Sequence, residues 1–242
     1  METVLIAFGG NLGDSLSIIR EALKRLGDDR CTVERVSSLF QTAPIGTSAG
    51  QPYLNGAAVL RTAIEPEALL ARLQQLEAEA GRVRDVPWGP RSLDLDIIAF
   101  GDRVIDTPAL RIPHPACLYR RFVLDPVAEI AADLVHPAEG VTFGQLLANL
   151  QPRPLPLSAD DAALPFLKSA LASRDDLCLV EPGDPRAALH LTTDAAAKSG
   201  RPTGFVDLSL AIGSTAEAIA SILDAATDIP RIRYDASTIR PG

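Results

Sequence analysis

The sequence predicts an α+β fold with a largely antiparallel sheet, followed by a small C-terminal α/β unit. Three observations carry this. Strand-like and helix-like periodicities both occur but do not alternate as regular βαβ repeats. The chain of 242 residues, 47% hydrophobic and 22% charged, is ordinary globular material, long enough for one large domain or two small ones. Prolines 152, 154 and 156 fall within residues 151–158, a spacing that favours an extended, semi-rigid tether. The boundary therefore falls there, between residues 1–150 and 159–242.

The elements follow in order. An apolar run at 4–8 ends in Gly9-Gly10-Asn11, after which Leu12, Leu16, Ile19, Leu23 and Leu26 recur at helical spacing until Gly27. A second strand is expected over 33–41, then a Pro/Gly loop over 42–52 and a strand over 53–61. Glu65-Pro66-Glu67 opens the next helix with proline and acidic residues in its first turn, and Leu69, Leu73 and Leu76 form its buried stripe. A strand near 93–97, helices over 122–132 and 143–150, and strands over 176–180 and 203–210 follow. Ser214-Thr215-Ala216-Glu217 reads as a capping box before Ile219, Ile222 and Leu223. A last strand near 232–235 is expected to complete the C-terminal unit.

A net charge of −8 argues against bulk affinity for nucleic acid or anionic membrane, so any phosphate recognition must be local. Cys31, Cys117 and Cys178 show no CxxC spacing and suggest neither a zinc site nor a disulfide framework. A cytoplasmic setting is expected, since no leader pattern or membrane-length apolar stretch is seen. Gly9-Gly10-Asn11 lacks the spacing of a dinucleotide fingerprint or P-loop, so its glycines read as a tight turn or a close backbone approach.

Chemistry concentrates in residues 82–96. Arg82, Arg84 and Arg91, the lone tryptophan Trp88, and Asp94 and Asp96 share this stretch. Strict alternation through Leu93, Leu95 and Ile97 puts Asp94 and Asp96 on one strand face, followed there by Ile98 and Phe100. Two neighbouring carboxylates suit Mg²⁺, which takes one or two of them together with substrate phosphates. Guanidinium forks upstream suit the phosphates themselves. The alternative is the solvated face of an edge strand, but such a face does not turn apolar after two residues; a strand end entering a cleft does.

Across residues 1–150 the chain resembles the 6-hydroxymethyl-7,8-dihydropterin pyrophosphokinases of folate biosynthesis. The resemblance rests on Ala7-Phe8-Gly9-Gly10-Asn11-Leu12-Gly13-Asp14, on Gln41-Thr42-Ala43-Pro44-Ile45-Gly46 with Pro52-Tyr53-Leu54-Asn55, and on Gly81-Arg82-Val83-Arg84. Trp88-Gly89-Pro90-Arg91-Ser92-Leu93-Asp94-Leu95-Asp96-Ile97 and Ile112-Pro113-His114-Pro115, followed by Arg120-Arg121-Phe122, complete it. It implies a ferredoxin-like sandwich and transfer of pyrophosphate from ATP to the pterin hydroxymethyl group, with AMP released. It further implies that Asp94 and Asp96 hold two Mg²⁺, that Arg82, Arg84 and Arg91 lie on a loop closing over ATP, and that Trp88 caps the site.

By the same resemblance Gln74, Glu77, Ile97, His114 and Arg120 line the ATP side. Gln74 and Glu77 sit on the helix face opposite Leu69, where spacing alone makes them exposed. Tyr53 and Phe122 match the stacking pair for the pterin, and Thr42, Ala43, Ile45 and Asn55 its edge contacts; a flat bicycle needs both. The chain departs from the family's commoner residues at Gly10, Ala43 and Tyr119, on the rim of the pterin pocket and the nucleotide loop. Residues 159–242 are outside the resemblance and read as a self-association or partner-binding module. A pterin- and nucleotide-binding scaffold without catalysis is the rival function.

Overall fold

A computed structural model describes residues 1–44, 50–81, 90–194, 204–210 and 213–239. The main sheet is built on β1 (Glu2–Gly10), flanked antiparallel by β4 (Tyr53–Thr62) and β5 (Asp94–Phe100). Alternation along β1 feeds two cores. Val4, Ile6 and Phe8 face α1 (Ser15–Leu26) and α2 (Pro66–Glu79), while Leu5 and Ala7 face α3 (Arg121–Ala131) and α4 (Phe143–Asn149). The expected strand over 33–41 is two strands, β2 (Cys31–Val36) and β3 (Leu39–Thr42), both antiparallel to β4. Ser37 and Ser38 make the break. The Ser37 hydroxyl accepts from Ala57 N at 2.9 Å, and Ser38 N donates to Glu129 Oε1 at 3.1 Å.

Strand β5 corrects one expectation. Leu5 pairs with Ala99 but Ile6 pairs with Ile97, so Ile98 is an extra, bulged residue. Ile98 and Ala99 join the α3 core, whereas Phe100 swings into the α1/α2 core with Leu93, Leu95 and Ile97. Phe100 therefore does not share the face of Asp94 and Asp96. Beyond β5, a short hairpin of β6 (Ile105–Asp106) and β7 (Arg111–Ile112) leads to a 3-10 turn, Pro115–Leu118.

Residues 155–159 correct another. Half of the expected tether is β8 (Leu155–Ala159), buried along its whole length and paired on both sides. Leu155 and Leu157 are fully buried, and that burial outweighs the usual exclusion of proline from inner strands. The Pro156 carbonyl still accepts from Ala188 N at 2.8 Å. With β9 (Leu177–Leu179), β10 (Leu189–Thr192) and β11 (Phe205–Asp207) it forms a parallel sheet ordered β11-β10-β8-β9, accompanied by α5 (Leu164–Leu171) and α6 (Thr215–Thr227). The capping box of Ser214 and Glu217 is formed at the start of α6.

The last strand, β12 (Arg231–Tyr234), does not complete this unit. It pairs antiparallel with β3 and becomes the edge of the main sheet, ordered β12-β3-β4-β1-β5. Arg20 on α1 donates to the Thr238 carbonyl (Nε to O 2.6 Å), and Ile239 is fully buried in the α1/α2 core. Ile219, Ile222 and Leu223 of α6 share one buried cluster with Val123, Leu124 and Val127 of α3. The two sheets thus meet through a continuous apolar seam.

Candidate active site

Asp94 and Asp96 open β5, half-buried, opposite Gly9 and Ala7 of β1. Arg91 Nη1 lies 2.7 Å from Asp94 Oδ2. The turn after β1 holds this arginine in place. Arg91 N donates to Asn11 Oδ1 at 2.8 Å, and the Arg91 carbonyl accepts from Asn11 N at 2.8 Å and Leu12 N at 3.1 Å. A Cβ on Gly10 would come within 2.5 Å of the Ser92 carbonyl oxygen, so glycine here serves close backbone approach, as the sequence suggested. No group of three or more His, Cys, Asp and Glu gathers among the described residues. The donor set is two carboxylates, which fits a hard cation that completes its shell with phosphate and water.

The second half of the site lies in the same row. Gly9 pairs with Asp94 on one side and Asn55 on the other; Ala7 pairs with Asp96 and Ala57. Paired residues share a face, so Asn55 and Asp94 flank a floor of glycine and alanine, two strand spacings or roughly 10 Å apart. Asn55 is buried and its Nδ2 donates to Thr42 Oγ1 at 2.8 Å. Its Oδ1 leans over Gly9, where a Cβ would stand 2.3 Å away. Tyr53 follows two residues before Asn55 on that face, half-buried and paired with Thr42. Phe122, in the first turn of α3, is half-buried under the Arg120 guanidinium at 5.5 Å. Arg121 and Asp125 fix that turn with a buried ion pair at 2.8 Å.

Glu77 departs from its expected exposed position. It falls on the buried stripe with Leu73 and Leu76, and its Oε1 accepts from Leu95 N at 2.8 Å, between the two aspartates in sequence. One turn of helix from Leu73 brings it inward, and the backbone bond satisfies its carboxylate. Gln74 is exposed as expected. Ile97 is buried in the α1/α2 core, so its side chain points away from the aspartate face. His114 N donates to the Ile98 carbonyl at 2.9 Å and its Nδ1 accepts from Ala116 N at 3.1 Å, which assigns the ring proton to Nε2. Burial pushes the imidazole below its ordinary pKa, with Asp96 pulling the other way and Arg120 adding to the depression. His114, Arg120 and the carboxylates are therefore electrostatic neighbours.

Ile45, Arg82, Arg84 and Trp88 lie outside the described residues. Two features had no signal in the sequence. A cavity of about 580 Å³ lies beside His114 and Arg120, its far wall made by Phe205, Asp207 and Ile222 of the C-terminal unit. Asp94 and Asp96 are not among its lining residues. Asp228 reaches from the end of α6 to Ala43 N, Oδ2 to N 3.2 Å.

A sheet that gathers charge at one strand mouth, beside a row of glycine and alanine, presents one face suited to a polar ligand. The pattern of the 7,8-dihydro-6-hydroxymethylpterin-pyrophosphokinase (HPPK) family matches residues 5–132, and the chain belongs to that family. A 2-amino-4-hydroxy-6-hydroxymethyldihydropteridine pyrophosphokinase of Pseudomonas aeruginosa is 42% identical over 151 residues, 61% of this chain and 91% of that protein. One from Bacillus subtilis is 44% identical over 141 residues, 58% of this chain and 84% of its own. The folic acid synthesis protein fol1 of Pneumocystis carinii is 36% identical over 149 residues; the match spans 62% of this chain but only 20% of that protein. Among solved structures, a triple-mutant Plasmodium falciparum HPPK-DHPS with STZ-DHP shares the fold at a TM-score of 0.50 and 10% identity, over 79% of this chain and 55% of that one.

Proposed function

We propose that the chain transfers the β,γ-diphosphate of ATP to the hydroxymethyl oxygen of 6-hydroxymethyl-7,8-dihydropterin, a step of folate biosynthesis. The hydroxyl gives up its proton as its oxygen bonds to the β-phosphorus, the bond from that phosphorus to the oxygen shared with the α-phosphate breaks, and AMP leaves with that oxygen. The observation that carries this is the row Asn55, Gly9, Asp94, which sets an amide and a carboxylate on one face of the sheet with only a glycine between them. That spacing suits a flat ring whose side arm must meet a metal-bound phosphate. Little covalent chemistry is then required of the protein beyond alignment and neutralisation of charge.

In this reading Asp94 and Asp96 hold two Mg²⁺, which when bound neutralise the phosphate oxygens. Arg91, already against Asp94, adds a fork to the phosphates, and Arg82 and Arg84 clamp them with Trp88 closing the site. Tyr53 and Phe122 stack the pterin, while Asn55, Thr42, Ala43 and Ile45 read its edge. Gln74, Glu77, His114 and Arg120 serve the nucleotide side, His114 as a neutral donor through Nε2, and Ile97 through its main chain.

The rival binding scaffold is disfavoured because Asp94, Asp96 and Arg91 are all kept at the strand mouth. Residues 1–150 are read as the ferredoxin-like pyrophosphokinase domain. The parallel-sheet part of residues 159–242, without β12, is read as a self-association or protein-partner module, with Phe166 and Leu179 among its exposed apolar groups; sedimentation of the full chain tests this. A cytoplasmic setting is in keeping with three free cysteines. The reaction itself is tested by AMP release. We expect it only with ATP, Mg²⁺ and the reduced hydroxymethylpterin together; release without pterin, or none with it, rejects the proposal.

A further inference from the structure

The strand exit that carries Thr42 and Ala43 is held from an unexpected direction. β3 is paired on one side with β4 and on the other with β12, Arg231 opposite Gln41 and Ile232 opposite Phe40. Just past that ladder the Ala43 N–H donates to Asp228 Oδ2 at 3.2 Å, across 185 positions of sequence. Asp228 is partly withdrawn from water. Burial raises its carboxyl pKa; the Ala43 amide, the Arg121 charge and the Ile229 amide oppose the rise, and Asp125 on the neighbouring α3 adds to it. The carboxylate thus joins the end of α6 to the exit of β3, the point where the sheet hands over to the loop after Ala43.

That point controls Asn55. Thr42 Oγ1, one residue before Ala43, accepts the Asn55 Nδ2 bond that leaves Oδ1 over Gly9. We infer that Asp228 is a positioning residue for the pterin. Through the Ala43 amide it fixes the exit of β3, and through Thr42 it fixes the orientation in which Asn55 reads the ring. The C-terminal segment thereby contributes to substrate selection in the first domain without touching substrate. This rests on the proposed pterin placement at Thr42 and Asn55.

Steady-state kinetics on the full chain test it. Asp228→Ala should raise the KM for 6-hydroxymethyl-7,8-dihydropterin roughly tenfold, the effect of losing one charged acceptor, with kcat and the KM for ATP within about twofold. Asp228→Asn keeps an acceptor and should bring the pterin KM back to within about threefold of the unsubstituted chain. Exchange of the Ala43 amide, followed by NMR, should accelerate in the alanine variant and not in the asparagine one. An unchanged pterin KM beside accelerated exchange overturns the inference. So does a parallel shift of both KM values, kcat and Tm in both variants, which marks a structural role alone. Where Asp228→Ala does not fold, Asp228→Ser, too short to reach Ala43, takes its place. An unsubstituted chain that binds the pterin but releases no AMP rejects the proposed reaction instead; the pterin Kd of Asp228→Ala, read by fluorescence, then decides the role of Asp228.

Discussion

The two sheets put their strands to opposite uses. In the antiparallel sheet the row Asn55, Gly9, Asp94 and the row Ala57, Ala7, Asp96 run across small residues and set charge at one margin. In the parallel sheet β8 and β10 are buried at every position, and the polar atoms they carry are satisfied inside: Ser158 Oγ meets His190 Nδ1 at 2.9 Å, with the His190 ring stacked on Phe205 at 4.8 Å. One sheet sets its charge at the margin of a row of small residues, and the other turns the polar atoms of its inner strands on one another. The difference teaches that a reactive row is recognisable by what is missing from it. Carboxylates occur in both sheets, but only in the first do two of them, Asp94 and Asp96, stand paired with glycine and alanine.

The sharpest way to break the comparison is Asp96→Ala. It should lower kcat by about a thousandfold, the upper range for removing a group that stabilises transition-state charge, while Tm stays within a few degrees. A variant that keeps a tenth of the activity would place the chemistry elsewhere. Next comes the seam between the sheets, where the loop of His136 reaches the second sheet through Glu139, which accepts from Gly204 N at 3.3 Å. Burial holds folded His136 at a pKa of about 4, against 6.5 for the free side chain. The unfolded state therefore binds more protons between those values. Stability is complete above pH 6.5 and declines as pH falls toward 4, by about 3 kcal/mol from this group. His136→Asn, which keeps an acceptor for the Glu139 amide, should flatten that part of the Tm-against-pH curve; an unaltered curve removes His136 as its source. The smallest effect is expected in the second sheet. Ser158→Ala should cost about 1 kcal/mol, a Tm drop of roughly 2 to 4 °C, with kcat unchanged. Lost activity at unchanged Tm would show that the second sheet does chemistry of its own.

Much of the first domain was legible because its signals are local. Gly9-Gly10-Asn11 marks a turn by composition, Pro66 opens α2 where a missing N–H does no harm, and the alternation around Asp94 declares a strand. The bulge at Ile98 was invisible, since one inserted residue leaves the apolar count unchanged. Glu77 was misplaced because its charge argued for the exposed face although it lies one turn beyond Leu73, and the Leu95 N–H on β5 that satisfies it is distant in sequence. In the second half, α5 gave little pattern because only Leu167 of its eight residues is buried. β10 gave no alternation because all four of its residues are buried. The partner of β12 could not be read at all: nothing in Arg231-Ile232-Arg233-Tyr234 names β3. The pairing is long-range, and Asp228 inherits the same silence.

That pairing also sets a timetable. During synthesis β3 leaves the ribosome long before the strand that borders it, so the first sheet waits with an open edge until the residue that grips Ala43, 185 positions downstream, has been made. A chain that ended just past residue 150 would therefore hold Asp94 and Asp96 in place with β3 unpaired along that edge. Competence would come late in translation, as a property of the whole fold rather than of the domain that bears the aspartates.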